Sequence, residues 1–162
     1  MQRDMRFQMN EAIKALLISR DEFDLVSLHK YQEILTSIVE RFTTQGKKGL
    51  SALWWWDNLK EPTYGMQTKY APSLLMDIVP CEERIWFVAE DWGNTKRHGN
   101  FWLYEGTIQA AVAIINEMFG FEYYIVSKKL EWLLCENHHD ILIGAGQPII
   151  DRMKQLNSKG RT

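Results

Sequence analysis

Apolar side chains recur every three or four positions along the first part of the chain, which is the period of an amphipathic helix. This stripe predicts a first helix over residues 3–18. Ser27 is a residue type that caps helix N-termini, and the stripe after it predicts a second helix that ends near Gly46. The charged residues 20–24 predict a connection between the two helices.

Residues 50–80 lack a sustained period. The run 53–56, Leu-Trp-Trp-Trp, fits either a short helix capped by Ser51 or a strand, because periodicity does not separate the two in so few residues. Prolines and a glycine are scattered through the rest of the segment. They favour structure that is mostly irregular.

From Arg84 onward the pattern changes to that of strands and helices. Short runs rich in β-branched and aromatic residues, apolar on both faces in places, predict strands of a sheet that is covered on both sides. The predicted strands are 85–89, 101–104, 121–127, 130–136 and 140–144. The loop 93–100 suggests a hairpin between the first two strands. An apolar stripe after Gly106 predicts a helix that Gly120 stops, and Pro148 suits the first turn of a last helix.

This order of elements predicts one α+β domain over residues 1–162. Two N-terminal helices and the aromatic segment precede the order ββαβββα, and we expect one five-stranded, mainly antiparallel sheet packed by helices. The most regular part is 84–157, and the polar tail 158–162 is expected to fray.

Composition narrows the class of protein. Apolar residues make up 46% of the chain and charged residues 25%, which is typical of a soluble globular protein. The formal net charge of −2 argues against a domain built to bind nucleic-acid phosphates. No apolar run approaches the roughly 18 residues of a membrane span, and the N-terminus lacks the apolar core of a secretion signal. We therefore expect a cytoplasmic protein without nucleic-acid or membrane partners.

Two side-chain clusters could carry chemistry near the end of the predicted sheet. His138, His139 and Asp140, with Glu136 beside them, are suited to acid/base work or to contact with a partner. The Asn-His-His-Asp run also fits a turn closed by side-chain-to-backbone hydrogen bonds. Neither these residues nor Cys135 fall in a zinc-type motif, so we expect no metal and no cofactor.

Acidic and aromatic residues offer candidate contacts for a partner. Glu82-Glu83 and Glu90-Asp91 flank a predicted strand, either as solvated strand ends or as an acidic patch for a basic partner. Three consecutive tryptophans, 54–56, cannot all face inward in a regular element, so at least one is expected near the surface. Exposed tryptophans often anchor protein interfaces.

Four strings of the sequence resemble a bacterial family of small proteins of unassigned function. They are WFVAEDW (86–92), FWLYEG (101–106), EYYIV (122–126) and EWLLCENHHD (131–140), and the resemblance covers about residues 84–146. Proteins of this kind resemble immunity proteins of polymorphic toxin systems, notably of contact-dependent growth inhibition. The resemblance implies a cytoplasmic protein that binds and neutralises the toxic C-terminal domain, often a basic nuclease, of such a toxin.

The predicted function is accordingly that of an immunity protein that is not an enzyme and whose partner is the cognate toxin domain. Two alternatives stay open: a small hydrolase that uses His138 or His139 with Asp140 or Glu136, and a regulatory binding module without a toxin partner. The predicted partner-binding residues are Trp54, Trp55, Trp56, Glu82, Glu83, Glu90, Asp91, His138 and His139.

Overall fold

The computed structural model describes residues 4–91, 100–118 and 120–160. Their α-helices are α1 (Met5–Ala15), α2 (Leu28–Phe42), α3 (Pro72–Ile78), α4 (Ile108–Glu117) and α5 (Gln147–Ser158). Two 3₁₀ helices cover Gly46–Ser51 and Trp55–Asn58. The strands are β1 (Phe23–Leu25), β2 (Thr63–Gln67), β3 (Arg84–Glu90), β4 (Phe101–Thr107), β5 (Tyr123–Ser127), β6 (Leu133–Glu136) and β7 (Ile141–Ala145).

All seven described strands join one antiparallel sheet in the order β1-β4-β3-β5-β6-β7-β2. The α+β class and the antiparallel arrangement predicted from the sequence are right, but the prediction of five strands is wrong. The five predicted strands form the contiguous middle of the sheet, from β4 to β7. The two that were missed, β1 and β2, are its edges.

The edge strand β1 lies in the charged segment that predicted a simple connection. It is only three residues long, and its pairing partner β4 comes much later in the chain. Gly106 of β4 permits the approach, because a Cβ there would lie 2.2 Å from the carbonyl oxygen of Glu22. The amide of Thr107 donates to that same oxygen at 2.9 Å. The strand β1 therefore forms because of its close backbone contact with β4, and not because of the strand propensity of its own residues.

The other edge strand, β2, and the helix α3 lie in the segment that was expected to be mostly irregular. Of the five residues of β2 only Met66 is buried, so the strand carries little apolar pattern of its own. It pairs with β7 over its full length, with Met66 opposite Leu142. Pro72 stands in the first turn of α3, where proline suits a helix. Here the prolines mark element boundaries rather than the lack of elements.

The middle of the sheet is covered on both faces, as the sequence predicts. Tyr124 and Gly144 lie on opposite faces, because the register pairs Tyr124 with Cys135 and Gly144 with the neighbouring Leu134. The ring of Trp55 packs 4.8 Å from that of Tyr124 on one face. On the other face α5 approaches so closely that a Cβ on Gly144 would lie 2.5 Å from the sulfur of Met153.

The four predicted helices are confirmed: α1, α2 and α4 are shorter than predicted, and α5 begins one residue before Pro148. Ser27 precedes α2 as expected, but its side chain makes no capping hydrogen bond. The hydroxyl of Thr107 caps α4 by accepting from the amide of Ala110 at 3.2 Å. Apart from residue 100, the predicted hairpin loop 93–100 lies outside the described residues. In the described part of the chain, no helix is both long and apolar enough to cross a membrane.

Candidate functional site

The three consecutive tryptophans separate into one core residue, Trp55, one half-buried residue, Trp56, and one exposed residue, Trp54. Trp54 has a left-handed backbone, with φ of 60°, and the 3₁₀ helix that begins after it turns the next side chain inward. Trp55 is fully buried, its ring lies 4.2 Å from that of Phe101, and its Nε1 donates to the carbonyl of Gly49 at 2.8 Å. Trp55 was predicted to contact a partner, but it belongs to the core.

Trp54 and Trp56 pack against the two histidines from the other end of the sequence. The ring of His138 lies 5.4 Å from the ring of Trp54 and 5.4 Å from that of Trp56. The ring of His139 lies 6.0 Å from Trp56 and 4.2 Å from His138. We call these four side chains the ring cluster. Trp54 is 37% exposed and both histidines are exposed, so the cluster forms part of the surface.

A hydrogen-bonded turn between β6 and β7 positions the histidines. The side-chain oxygen of Asn137 accepts from the amides of His139, at 2.9 Å, and Ile141, at 3.2 Å. This confirms a turn closed by side-chain-to-backbone bonds. His138 then reaches the residue before β5, where its Nδ1 lies 2.8 Å from a carboxylate oxygen of Glu122. A ring held by a carboxylate on one side and indoles on the other has a defined orientation.

Glu90 and Asp91 are buried, which corrects the expectation of solvated strand ends. Their exposed fractions are 1% and 2%. A carboxylate oxygen of Glu90 accepts from the amide of Trp54 at 2.6 Å, and one of Asp91 accepts from Nε1 of Trp102 at 2.8 Å. Because buried donors must be satisfied, these acids hold the tryptophan segment and the end of β4 in place. They are not part of the open surface.

The second acidic pair lies at the opposite end of β3. The strand has seven residues, so at about 3.4 Å per residue its two ends are roughly 20 Å apart. Glu82 is exposed, and Glu83 forms an ion pair with Arg152 at 3.3 Å. The structure therefore does not bring Glu82 and Glu83 together with the ring cluster.

Beside the ring cluster, a cavity of about 580 Å³ lies between the helices and one end of the sheet. Helices α1, α3 and α4 and the segments next to them supply a lining that is largely apolar, whereas the strand ends supply carboxylates and His138. The described lining residues are Met5, Gln8, Tyr70, Pro72, Glu90, Asp91, Ile115, Asn116, Met118, Gly120, Phe121, Glu122, Tyr123, Glu136, Asn137, His138 and Asp140.

A family model of unknown function, DUF6756, matches residues 1–157. The chain belongs to this family. The match extends well beyond residues 84–146, to which the sequence strings pointed, and includes the N-terminal helices and the tryptophan segment. No curated protein and no solved structure matches the chain. Membership of DUF6756 therefore assigns no activity, and it does not link the chain to immunity proteins.

Inside the cavity of this DUF6756 chain, the carboxyl group of Glu136 has a raised pKa. Burial raises the pKa of Glu136, the hydrogen bond from the hydroxyl of Tyr123 opposes the rise, and the charges of Asp140 and Glu122 add to it. The Tyr123 oxygen lies 2.8 Å from the Glu136 carboxylate. A carboxyl that keeps its proton to higher pH can act as a general acid or respond to a bound cation. Within the described ranges, no three His, Cys, Asp or Glu side chains are grouped so as to hold a metal ion.

Glu122 is the site residue that the sequence analysis missed. It lies within the predicted strand 121–127 and is 6% exposed. The sequence does carry a signal, because Glu122 is the one charged residue in the apolar run FEYYIV. A charge at a buried position needs a partner, and His138 is the nearby side chain that could serve.

Proposed function

We propose that this chain is a cytoplasmic immunity protein. It binds the toxic C-terminal domain, a nuclease, of a bacterial contact-dependent growth inhibition toxin, blocks that domain, and catalyses no reaction of its own. The observation that carries the proposal is the packing of Trp54 against His138, with ring centroids 5.4 Å apart at the surface. Aromatic anchors that are already held in place lose little conformational entropy when a partner binds.

The charge beside the ring cluster supports a basic partner. Asp140 is exposed next to the histidines, and Glu136 and Glu122 lie just behind them in the cavity. Acidic groups near an aromatic anchor favour encounter with a positively charged domain and discriminate against acidic ones. Glu90 and Asp91 contribute by holding Trp54 and Trp102 rather than by direct contact, and we assign the partner contact to the ring cluster.

Binding kinetics against the cognate toxin domain test the proposal, and the gene directly upstream is the place to look for that domain because an immunity gene lies directly downstream of its toxin gene. We expect a complex whose association slows at high salt, because exposed charges steer the encounter. Trp54→Ala should speed dissociation by at least about tenfold, which corresponds to about 1.4 kcal/mol. The matched controls are Trp86→Ala and Glu82→Gln, both toward the opposite end of β3. The absence of binding, or equal effects of the two tryptophan changes, would overturn the proposal.

A second candidate function, that of a small hydrolase, is favoured by one observation. His138 and Glu122 form a base-and-orienting-carboxylate pair, and Glu136, with its raised pKa, lines the same cavity. Such a set could activate water and protonate a leaving group. The distinguishing measurement is turnover on ester and phosphodiester substrates. Turnover that His138→Gln abolishes would establish the hydrolase, whereas toxin binding without turnover on any of these substrates would exclude it.

A further inference from the structure

We infer that the cavity beside the ring cluster binds a small organic cation in which an ammonium group is carried on an apolar body, such as an arylalkylamine. This site goes beyond the proposed contact with a toxin, which uses the surface of the ring cluster. The two sites share His138 and the carboxylates behind it, but α1, α3 and α4 line the cavity alone and do not contribute to the ring cluster.

The size of the cavity fits a small molecule. Its volume of about 580 Å³ falls within the range of about 300–1,000 Å³ that is typical of ligand pockets in proteins. Eight of the seventeen lining residues that the structure describes lie on helices or strands, and the others lie within three residues of one, so the lining is anchored to the helices and the sheet. A cavity that is already formed costs little conformational entropy to occupy.

The lining from the helical side favours an apolar body. Met5 of α1, Pro72 of α3 and Ile115 of α4 contribute to it, and Met118 and Phe121 extend it toward β5. Methionine side chains adapt their shape and make favourable contacts with aromatic rings. An apolar group on the ligand would remove both its own surface and theirs from water, which favours binding at roughly 25 cal/mol per Å².

The lining from the strand ends favours a positive charge. Glu122 is only 6% exposed, and Glu136 lies beside it on the neighbouring strand β6. Asp140 adds a third carboxylate where the β6–β7 turn meets the cavity. Among the lining residues that the structure describes, none is a lysine or an arginine, and the one basic side chain is His138, which lies 2.8 Å from Glu122.

The carboxylates in the cavity also predict how the binding of a cation would depend on pH. Burial disfavours the ionised form of Glu136, as its raised pKa indicates, and an ammonium group nearby would reverse that effect. Binding of the cation should therefore lower the pKa of Glu136. An amine that stays protonated throughout should bind more tightly as pH rises toward neutrality.

Three probes with the same phenylethyl group but different charges test whether the cavity selects its ligand by charge. Isothermal titration calorimetry on the whole chain compares 2-phenylethylamine, 2-phenylethanol and 3-phenylpropionate, which are a cation, a neutral molecule and an anion. We expect the amine to bind at least about tenfold more tightly than the alcohol, because a partly desolvated ion pair contributes more than about 1.4 kcal/mol. The propionate should show no binding.

Two substitutions locate the site on the protein. Glu136→Gln should weaken amine binding at least about tenfold and abolish its pH dependence, while leaving the alcohol unchanged. Glu82→Gln removes the same charge at the far end of β3 and should have no effect. Competition between the amine and the alcohol on the unmodified chain tests separately whether the two probes occupy one site.

The outcomes that overturn this inference are distinct from those that overturn the proposed function. Equal binding of amine and alcohol would mean an apolar cavity without charge selection. Tighter binding of the propionate, or no binding of any of the three probes, would reject the site altogether. None of these measurements involves the toxin domain, so a chain that binds amines but no toxin would keep this site and lose the immunity function.

Discussion

The Nδ1 atom of His138 lies 2.8 Å from a carboxylate oxygen of Glu122 and joins the turn after β6 to the residue before β5. Glu122 is 6% exposed while the side chain of His138 is 44% exposed, so the pair connects the interior to the surface. Through this contact the orientation of the ring cluster depends on a buried carboxylate. The same carboxylate lines the cavity.

A double-mutant cycle should measure this coupling. His138→Phe keeps a ring in the cluster but removes the nitrogen, and Glu122→Gln keeps an oxygen acceptor but removes the charge. We expect a coupling free energy of about 1 kcal/mol in urea unfolding, because the pair is charge-assisted but half open to solvent. The expectation fails if the two substitutions are additive. Asp151→Asn, an exposed acid on α5, is the control for loss of one negative charge.

Adjacent tryptophans should differ sharply in their effect on stability. Trp55→Ala empties a fully buried site between Phe101 and Tyr124 and should lower the free energy of unfolding by about 3–5 kcal/mol. Trp54→Ala, at a partly exposed position, should cost about 1 kcal/mol or less. Urea unfolding of both variants gives the comparison. Similar losses would contradict the division into a core ring and a surface ring.

The two acidic pairs of β3 should respond differently to charge reversal. Glu90→Lys places a cation in a buried site and leaves the amide of Trp54 without its acceptor, so the loss should be about 3 kcal/mol or more. Glu82→Lys, at an exposed position, should change stability by less than about 0.5 kcal/mol. Thermal unfolding followed by circular dichroism distinguishes them. A stable Glu90→Lys variant would show that Glu90 is a solvated strand end after all.

The raised pKa of Glu136 gives a stability effect with a defined sign. Because the folded protein holds the Glu136 proton more tightly than the unfolded chain, its stabilisation is present below the unfolded pKa and is lost as pH rises through the folded pKa. Glutamine stays neutral and its amide oxygen can still accept from Tyr123. Glu136→Gln should therefore gain stability relative to the unmodified chain between about pH 4 and about pH 7.

Glu82→Gln supplies the control of opposite sign for that measurement. Hydrogen bonds from its own backbone amide and from the Cys81 side chain hold the pKa of Glu82 below its usual value. Its stabilisation is present above the unfolded pKa and is lost as pH falls, so Glu82→Gln should lose stability relative to the unmodified chain as pH rises. Urea unfolding at about pH 3, 5 and 7 checks the two signs, because the Glu82 effect lies below the unfolded pKa of about 4.3 and the Glu136 effect lies above it.

Gly106→Ala should release the edge strand β1. The added Cβ would lie 2.2 Å from the carbonyl oxygen of Glu22, which is backbone and cannot rotate away. We expect the amide of Thr107, which donates to that oxygen, to lose protection in hydrogen exchange, together with the amide of Val26. Gly120→Ala is the control, since no described atom lies within 4 Å of its Cβ position. Retained protection at Thr107 would contradict the close approach.

Much of the middle of the fold could be predicted from sequence because its information is local. Each of the five strands β3 to β7 carries an apolar run long enough to be recognised alone. Gly120 and Pro148 mark helix boundaries directly. The α+β class followed from the order of these elements. The same local reasoning identified the histidine turn and its closure by Asn137.

The edges and the site could not be predicted in this way, because they depend on contacts between distant parts of the chain. β1 exists because Gly106 lets its backbone approach, and β2 because β7 offers an unpaired edge. The sequence alone determined that acids and tryptophans were present, but it placed Glu90 in solvent. Only the tertiary structure decided which were buried, since the free energy of burying a charge depends on the donors that another segment brings to it.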